Sequence, residues 1–410
     1  MNMSTPNESS LLKQALEQGG GVVRLAPCWV PRSFLQPGGR LKLDPRDLYA
    51  CGANRGGIDE RWFSSTTNAD NGPGTPEDEG LSYIVVEENS SIHKILLKDA
   101  LGSMGEYFLG KEVMKKYGGW MLLCKFFDNL GPIPHHVHQM DEHAAKVGRL
   151  GKPEAYYFPP QLNFTGNNFP YTFFGLEPGT TKDDVIKCLK RWNEGDNGIL
   201  DHSKAYRLNP GTGWHVPPGI LHAPGSLVTY EPQRSSDVFA MFQSMVERRA
   251  VPRELLVKDV PENFHNDFNY LISMLDWEAN VDPEFMRHRY LPPLPVKNVD
   301  EMRDSGYQEL WIVYNSEDFS AKELTVLPGR TVTIKDPAAY GFILTQGRGK
   351  FGKWEIECPT LIRYGELTYD EFFVTYESAQ KGVIITNSSK TENLVLLKHF
   401  GPGYPNVPKI

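Results

Sequence analysis

Cysteine is scarce for a chain of this length: five residues in 410, at Cys28, Cys51, Cys124, Cys188 and Cys358, none in CxxC spacing. That excludes a disulfide framework and a cysteine-based zinc finger, and the thiols are expected to be reduced and structural. No apolar run approaches the ~18 residues of a membrane span. The first twenty residues are polar and lack the basic start and apolar stretch of a secretory signal, so a cytoplasmic location is expected. Lysine and arginine form no block, and the formal net charge is -8. This leaves no electrostatic footprint for nucleic acid and no polybasic patch for a membrane. A small neutral or anionic molecule is the class of partner left open.

Glycine (38) and proline (31) are plentiful and fall between short β-rich runs, the punctuation of sheets joined by tight turns. Residues 1–92 hold few periodic segments and a loop-like stretch from Ser64 to Gly80, and read as a covering segment. Between His93 and Gly118 apolar residues from Ile95 to Val113 recur near helical spacing, interrupted by Gly102 and Gly105, which predicts one or two short helices. From Trp120 the texture changes to short β runs. One helix is inserted among them, with Thr181 and Asp184 as a capping pair and Gly195 as its stop. A second helical stretch, Pro261 to His288, leads to the stiff segment LPPLP, the preferred boundary between two units. Beyond it eight β runs, from ELWIVYN to LVLLKHF, follow at intervals of roughly ten residues, the rhythm of an all-β sandwich or barrel.

Seven of the eleven histidines lie between residues 135 and 222. Residues two apart on a strand share a face, so His136 and His138 in PHHVH can turn both imidazoles into one interior. Glu154 opens the next β run sixteen residues later, and His222 follows the turn VPPG. Three imidazoles and a carboxylate with an open position make a catalytic metal site compatible with zinc, iron or manganese. His135 should point away from that interior. His143 is ambiguous, and His202 and His215 read as structural or exposed.

The pattern HxH, then Glu, then PxGxxH has the spacing of cupin metal sites, and the chain from about Ile95 to Val238 resembles the type I mannose-6-phosphate isomerases. The resemblance rests on ILLKDALGSMGEYFLG, LLCKFF, HHVH, GKPEAYYF, and the nine-residue interval from His222 to Glu231, with Asp237 at a serine-aspartate pair. It implies a mainly β fold of two cupin (jelly-roll-like) barrels, with helical segments inserted and between them. The units would be a metal-binding cupin domain over 93–250, a helical linker over 251–297, and a C-terminal barrel over 298–410. That last barrel has His399 alone and no HxH, so no metal is assigned to it.

By the same resemblance His136, His138, Glu154 and His222 are the metal ligands, with His136 where the family has glutamine, and zinc is the expected ion with manganese or iron as alternatives. Lys152 and Glu231 take the catalytic positions, and His135 is a third candidate base. The implied activity is aldose–ketose isomerisation of a sugar or sugar phosphate. The family's arginine after the serine-aspartate pair has no counterpart in DVFAM, and Arg234 is the nearest guanidinium, so an unphosphorylated substrate is in view. A metal-dependent oxygenase and a non-catalytic sugar- or metal-binding protein stand as alternatives. Exposed sheet edges are compatible with a homodimer.

Overall fold

The apolar runs Leu122–Phe127 and Leu394–Phe400 form strands buried along their whole length. A strand that is apolar on both faces must be covered on both sides. Alternation settles what covers each face. Leu122, Cys124 and Phe126 pack with Ile343, Phe373 and Leu397 in one core, whereas Leu394, Leu396 and Phe400 pack with Val332, Phe351 and Ile385 in another. The computed structural model, which describes residues 6–88, 91–165 and 169–409, is accordingly layered.

An outer five-stranded sheet has the order Ser203–Arg207, Tyr171–Leu176, His222–Ala223, His136–Val137, Ala240–Met241. It faces a seven-stranded sheet ordered Tyr290–Leu291, Gly213–Val216, Glu154–Tyr157, Thr229–Arg234, Leu122–Phe127, Gly57–Phe63, Cys28–Arg32. A second seven-stranded sheet lies behind the first. Its order is Val22–Arg24, Glu371–Val374, Tyr340–Gln346, Leu394–Phe400, Ser320–Val326, Tyr307–Val313, Leu294–Pro295. A four-stranded sheet, Thr331–Ile334, Val383–Asn387, Arg348–Phe351, Trp354–Glu357, completes the stack. The protein is thus mainly β, and each half is a pair of facing sheets with free edges; no closed barrel forms among the described residues.

The LPPLP segment steps between halves: Leu291 pairs with Gly213 in the first seven-stranded sheet and Leu294 with Trp311 in the second. Ile95 and Leu96 close a strand, Ser91–Leu96, and the helix Leu97–Leu109 follows. It is interrupted by a kink between Gly102 and Gly105, and Lys111–Tyr117 follows as a second helix. The kink falls at Met104 (φ -132°, ψ 33°), and Gly105 gives room to the Met114 side chain. The helix Lys182–Lys190 carries the expected Thr181–Asp184 capping box. Pro261 to His288 divides into short helices because Asp267 and Asp276 each cap a new start. Among the described residues no helix is long and apolar enough to cross a membrane.

Polar groups stitch the two seven-stranded sheets together. Arg61 donates to both Asp370 oxygens at 2.8 Å, and Tyr157 Oη to Glu323 at 2.8 Å. His399 lies between Tyr230 Oη (2.9 Å) and Ser64 Oγ (3.2 Å). Gly341 is what admits that ring: a Cβ there would overlap both the imidazole and Ser64. We expect Gly341→Ala to lower stability by roughly 1–3 kcal/mol through this overpacking, measured by denaturant unfolding. Burial also pushes the His399 imidazole down to about 3. The unfolded chain takes up that proton below about pH 6.5 and the folded chain does not. Stability should therefore fall as pH drops from about 6.5 toward 3. His399→Gln should lose less stability than wild type between pH 6.5 and 5, and equal losses would contradict the assignment.

Candidate metal centre

His136 and His222 are directly opposed across neighbouring strands of the five-stranded sheet, and His138 follows one turn of the pleat later. The facing sheet presents charge. On Glu154–Tyr157, Ala155 and Tyr157 enter the core between the sheets, so Glu154 and Tyr156 point toward the histidines. On the adjoining strands Glu231 stands opposite Lys125, on the face that does not carry Phe126 and Tyr230 into the core.

Each of the three imidazoles is oriented by the main chain. His136 Nδ1 lies 2.8 Å from Pro134 O, His138 Nδ1 2.7 Å from Val238 O, and His222 Nδ1 2.8 Å from Ile220 O. A carbonyl oxygen only accepts, so Nδ1 carries the hydrogen and Nε2 of the neutral ring is a bare lone pair. Burial pushes His136 well below its ordinary range and His138 to about 4, with Lys152 helping at His138. The ligand atoms of the three rings lie within 4.8 Å of one another.

Glu154 lies against two of the three rings. Its Oε2 is 2.9 Å from His138 Nε2, and its Oε1 is 3.0 Å from His222 Nε2 and accepts from Tyr156 Oη at 2.5 Å. Burial opposes its charge, but the Lys152 ammonium beside it helps hold it well below the usual carboxylate range. Lone pair therefore faces lone pair at contact distance, and Glu154 Oε2 and His222 Nε2 find no hydrogen-bond donor. A cation between them removes that repulsion. Three neutral imidazoles and a carboxylate fit a divalent zinc, manganese or iron ion, and the carbonyls behind the rings fix ligand orientation.

A chain of buried charges runs outward from Glu154. Lys152 Nζ is 3.4 Å from Glu154 and 3.8 Å from Glu231; Lys125 Nζ is 3.4 Å from Glu231 and 3.1 Å from Glu60. Glu60 accepts from Trp62 Nε1 (2.7 Å) and from Arg32 (3.2 Å), and Arg32 also reaches both oxygens of Asp237 at 3.2 Å. Burial, and next the Glu154 carboxylate, push Glu231 up to about 8 against the pull of Lys125 and Lys152. A cavity of about 40 Å³ lies among His136, His138, Lys152, Lys125 and Glu231, with Leu35, Ile133 and Pro224 as its apolar wall.

The structure thus brings Lys152 and Glu231 to the four candidate ligands. It does not bring His135, whose Nε2 turns to Ser203 Oγ at 3.3 Å, or Arg234, which pairs with Asp141 and Asp318. His143 bonds Ser273 instead. Sequence reading missed Arg32, Glu60 and Lys125. The one signal was a lysine set among apolar residues in LLCKFF, a charge that alternation places on a buried face.

No protein-family model matches the sequence, and no curated protein matches it. Solved structures do. A putative mannosephosphate isomerase from Archaeoglobus fulgidus superposes with a TM-score of 0.61 at 14% identity, covering 93% of this chain and 98% of that one. The mannose 6-phosphate isomerase from Bacillus subtilis gives 0.60 at 17% identity, over 92% and 99%. A mannose 6-phosphate isomerase bound with zinc and yttrium gives 0.57 at 13%, over 93% and 100%. The chain shares their fold. At these identities the likeness speaks for architecture alone, and the side chains must argue the chemistry.

We expect the protein to hold about one divalent ion per chain, lost on dialysis more than about tenfold more readily from His138→Ala and Glu154→Gln. Elemental analysis of dialysed protein checks this, and equal retention in both variants would contradict the ligand set.

Proposed function

We propose that the protein is a metal-dependent aldose–ketose isomerase of the cupin class, with His136, His138, Glu154 and His222 as ligands of one divalent ion, zinc being favoured. The observation that carries the reading is the placement of Glu231 and Lys152 beside a carboxylate that faces two bare imidazole nitrogens. A divalent ion held there would act as a Lewis acid on the sugar's carbonyl oxygen. Zinc in one isomerase of the same fold supports that choice of ion.

The rest falls to the chain's own groups. Isomerisation removes a proton from the carbon beside the carbonyl and returns it to the neighbouring carbon through an enediol. Glu231 is the base in this reading: its carboxylate is poised near neutrality by burial, which suits a group that must both take and return a proton. Lys152, between Glu154 and Glu231, donates to the oxygen on which negative charge develops. The cavity has room for an ion or a single water, so substrate entry requires the wall of Leu35, Ile133 and Pro224 to move.

The cations lining the site or its ion chain are committed: Lys125 and Lys152 lie against Glu231, and Arg32 against Glu60 and Asp237. No guanidinium lines the cavity. We therefore favour an unphosphorylated sugar, since phosphate recognition ordinarily uses an available arginine or lysine.

The test is incubation of metal-loaded protein with free and phosphorylated aldoses in deuterated water. Conversion with deuterium gained at the carbon next to the carbonyl is expected. Glu231→Gln should lower kcat by roughly 10²–10⁴. Since the base works deprotonated, kcat/KM should fall as pH drops through an apparent value below 8, a bound dication adding to the pull on Glu231. Bound iron with oxygen uptake and no isomerisation would overturn the reading in favour of an oxygenase.

A further inference from the structure

Far from the candidate metal centre, Lys42 Nζ lies 2.7 Å from Cys358 Sγ. That is as short as a nitrogen–oxygen hydrogen bond, although sulfur is the larger atom. Among the described residues neither group has another partner that accounts for the approach. All five cysteines are free thiols, and no carboxylate among the described residues pairs with the Lys42 ammonium.

The main chain holds both ends. Ile362 N donates to Lys42 O and Asp44 N to Ile362 O, each at 2.8 Å, while Cys358 N donates to Gly347 O at 3.0 Å. The two side chains thus meet across a fixed junction between the N-terminal segment and the C-terminal half. Both are partly exposed, so a small oxidant can reach them.

We propose that Lys42 and Cys358 form an oxidant-dependent covalent cross-link through one oxygen atom, an S–O–N bridge. With dioxygen as oxidant the step balances. The thiol loses its S–H hydrogen and the amine one N–H hydrogen as S–O and O–N bonds form. Sulfur and nitrogen each give up two electrons, and the second oxygen atom leaves as water. Two equivalents of a dithiol reverse it, returning thiol, amine and a further water.

The bridge ties residue 42 to residue 358 across 316 positions of sequence. It would lock the segment that supplies the strands Cys28–Arg32 and Gly57–Phe63 onto the C-terminal half. A cross-link of this span restricts the unfolded chain most, so oxidised protein should melt several degrees above reduced protein.

The experiment is intact mass and peptide mapping of the full chain after exposure to air or dilute hydrogen peroxide, with and without dithiothreitol. The bridged form is heavier than the reduced form by about 14 Da, one oxygen gained and two hydrogens lost, and yields one linked peptide pair containing Lys42 and Cys358. Lys42→Arg keeps the cation, and Cys358→Ser keeps the size. Each should remain folded by circular dichroism and lose both the mass change and the reductant-sensitive rise in Tm. Cys358 found only as free thiol, or as sulfenic or sulfinic acid with Lys42 unmodified, overturns the proposal. So does a reductant-sensitive mass change that persists in Lys42→Arg.

Discussion

Three hydrogen bonds from imidazole Nδ1 to main-chain carbonyls are the constraint on which the candidate centre depends. Pro134 and Ile220 each take the hydrogen of the histidine two residues on, and Val238 takes that of His138 from across the chain. Once those hydrogens are placed, every Nε2 must face the opposite sheet as a lone pair. There those of His138 and His222 meet Glu154, a second acceptor, in a dry interior. Unrelieved, that meeting is repulsive; with a cation it becomes a coordination sphere. The short strands His136–Val137 and His222–Ala223 exist, in this view, to hold two rings opposite each other.

The facing sheet supplies everything the histidines do not. Its outer face carries Glu60, Lys125, Glu154 and Glu231, charges that a β-sandwich core would ordinarily exclude. They persist because each is paired with the next, from Arg32 and Asp237 at one end to the histidines at the other. Breaking one link strands a buried charge, whose desolvation is far costlier than the pair is stabilising. The same ordering sets Glu231 apart: it is the carboxylate pushed toward neutrality, while Glu154 beside it is held ionised. Two neighbouring carboxylates with opposite shifts is the pattern expected where one holds an ion and the other moves a proton.

Much of this was legible in the sequence because local spacing carried it. HxH, KPE and the interval from His222 to Glu231 point to residues that stand side by side in the structure, and the C-terminal runs became strands Tyr307–Val313 through Leu394–Phe400. What stayed hidden depends on pairing at long range. Glu60 looks like a solvent-facing charge until Gly57–Phe63 is known to lie beside Leu122–Phe127. Arg32 closes on Asp237 over 205 residues, so its place in the ion chain could not be read from the N-terminal segment. Val22–Arg24 likewise gives no hint that it pairs with Glu371–Val374 of the C-terminal sheet. The helices over 97–117 were legible from apolar spacing, but the packing role of Gly105, which admits the Met114 side chain, was not.

The measurement that bears most directly on the account is X-ray absorption at the metal edge of the purified, dialysed protein. The account predicts one divalent ion per chain in a low-coordinate shell of nitrogen and oxygen, with the outer-shell scattering of three imidazoles and no sulfur. A sulfur-containing shell, a six-oxygen hydrated ion, or a protein that retains no metal at all would contradict it.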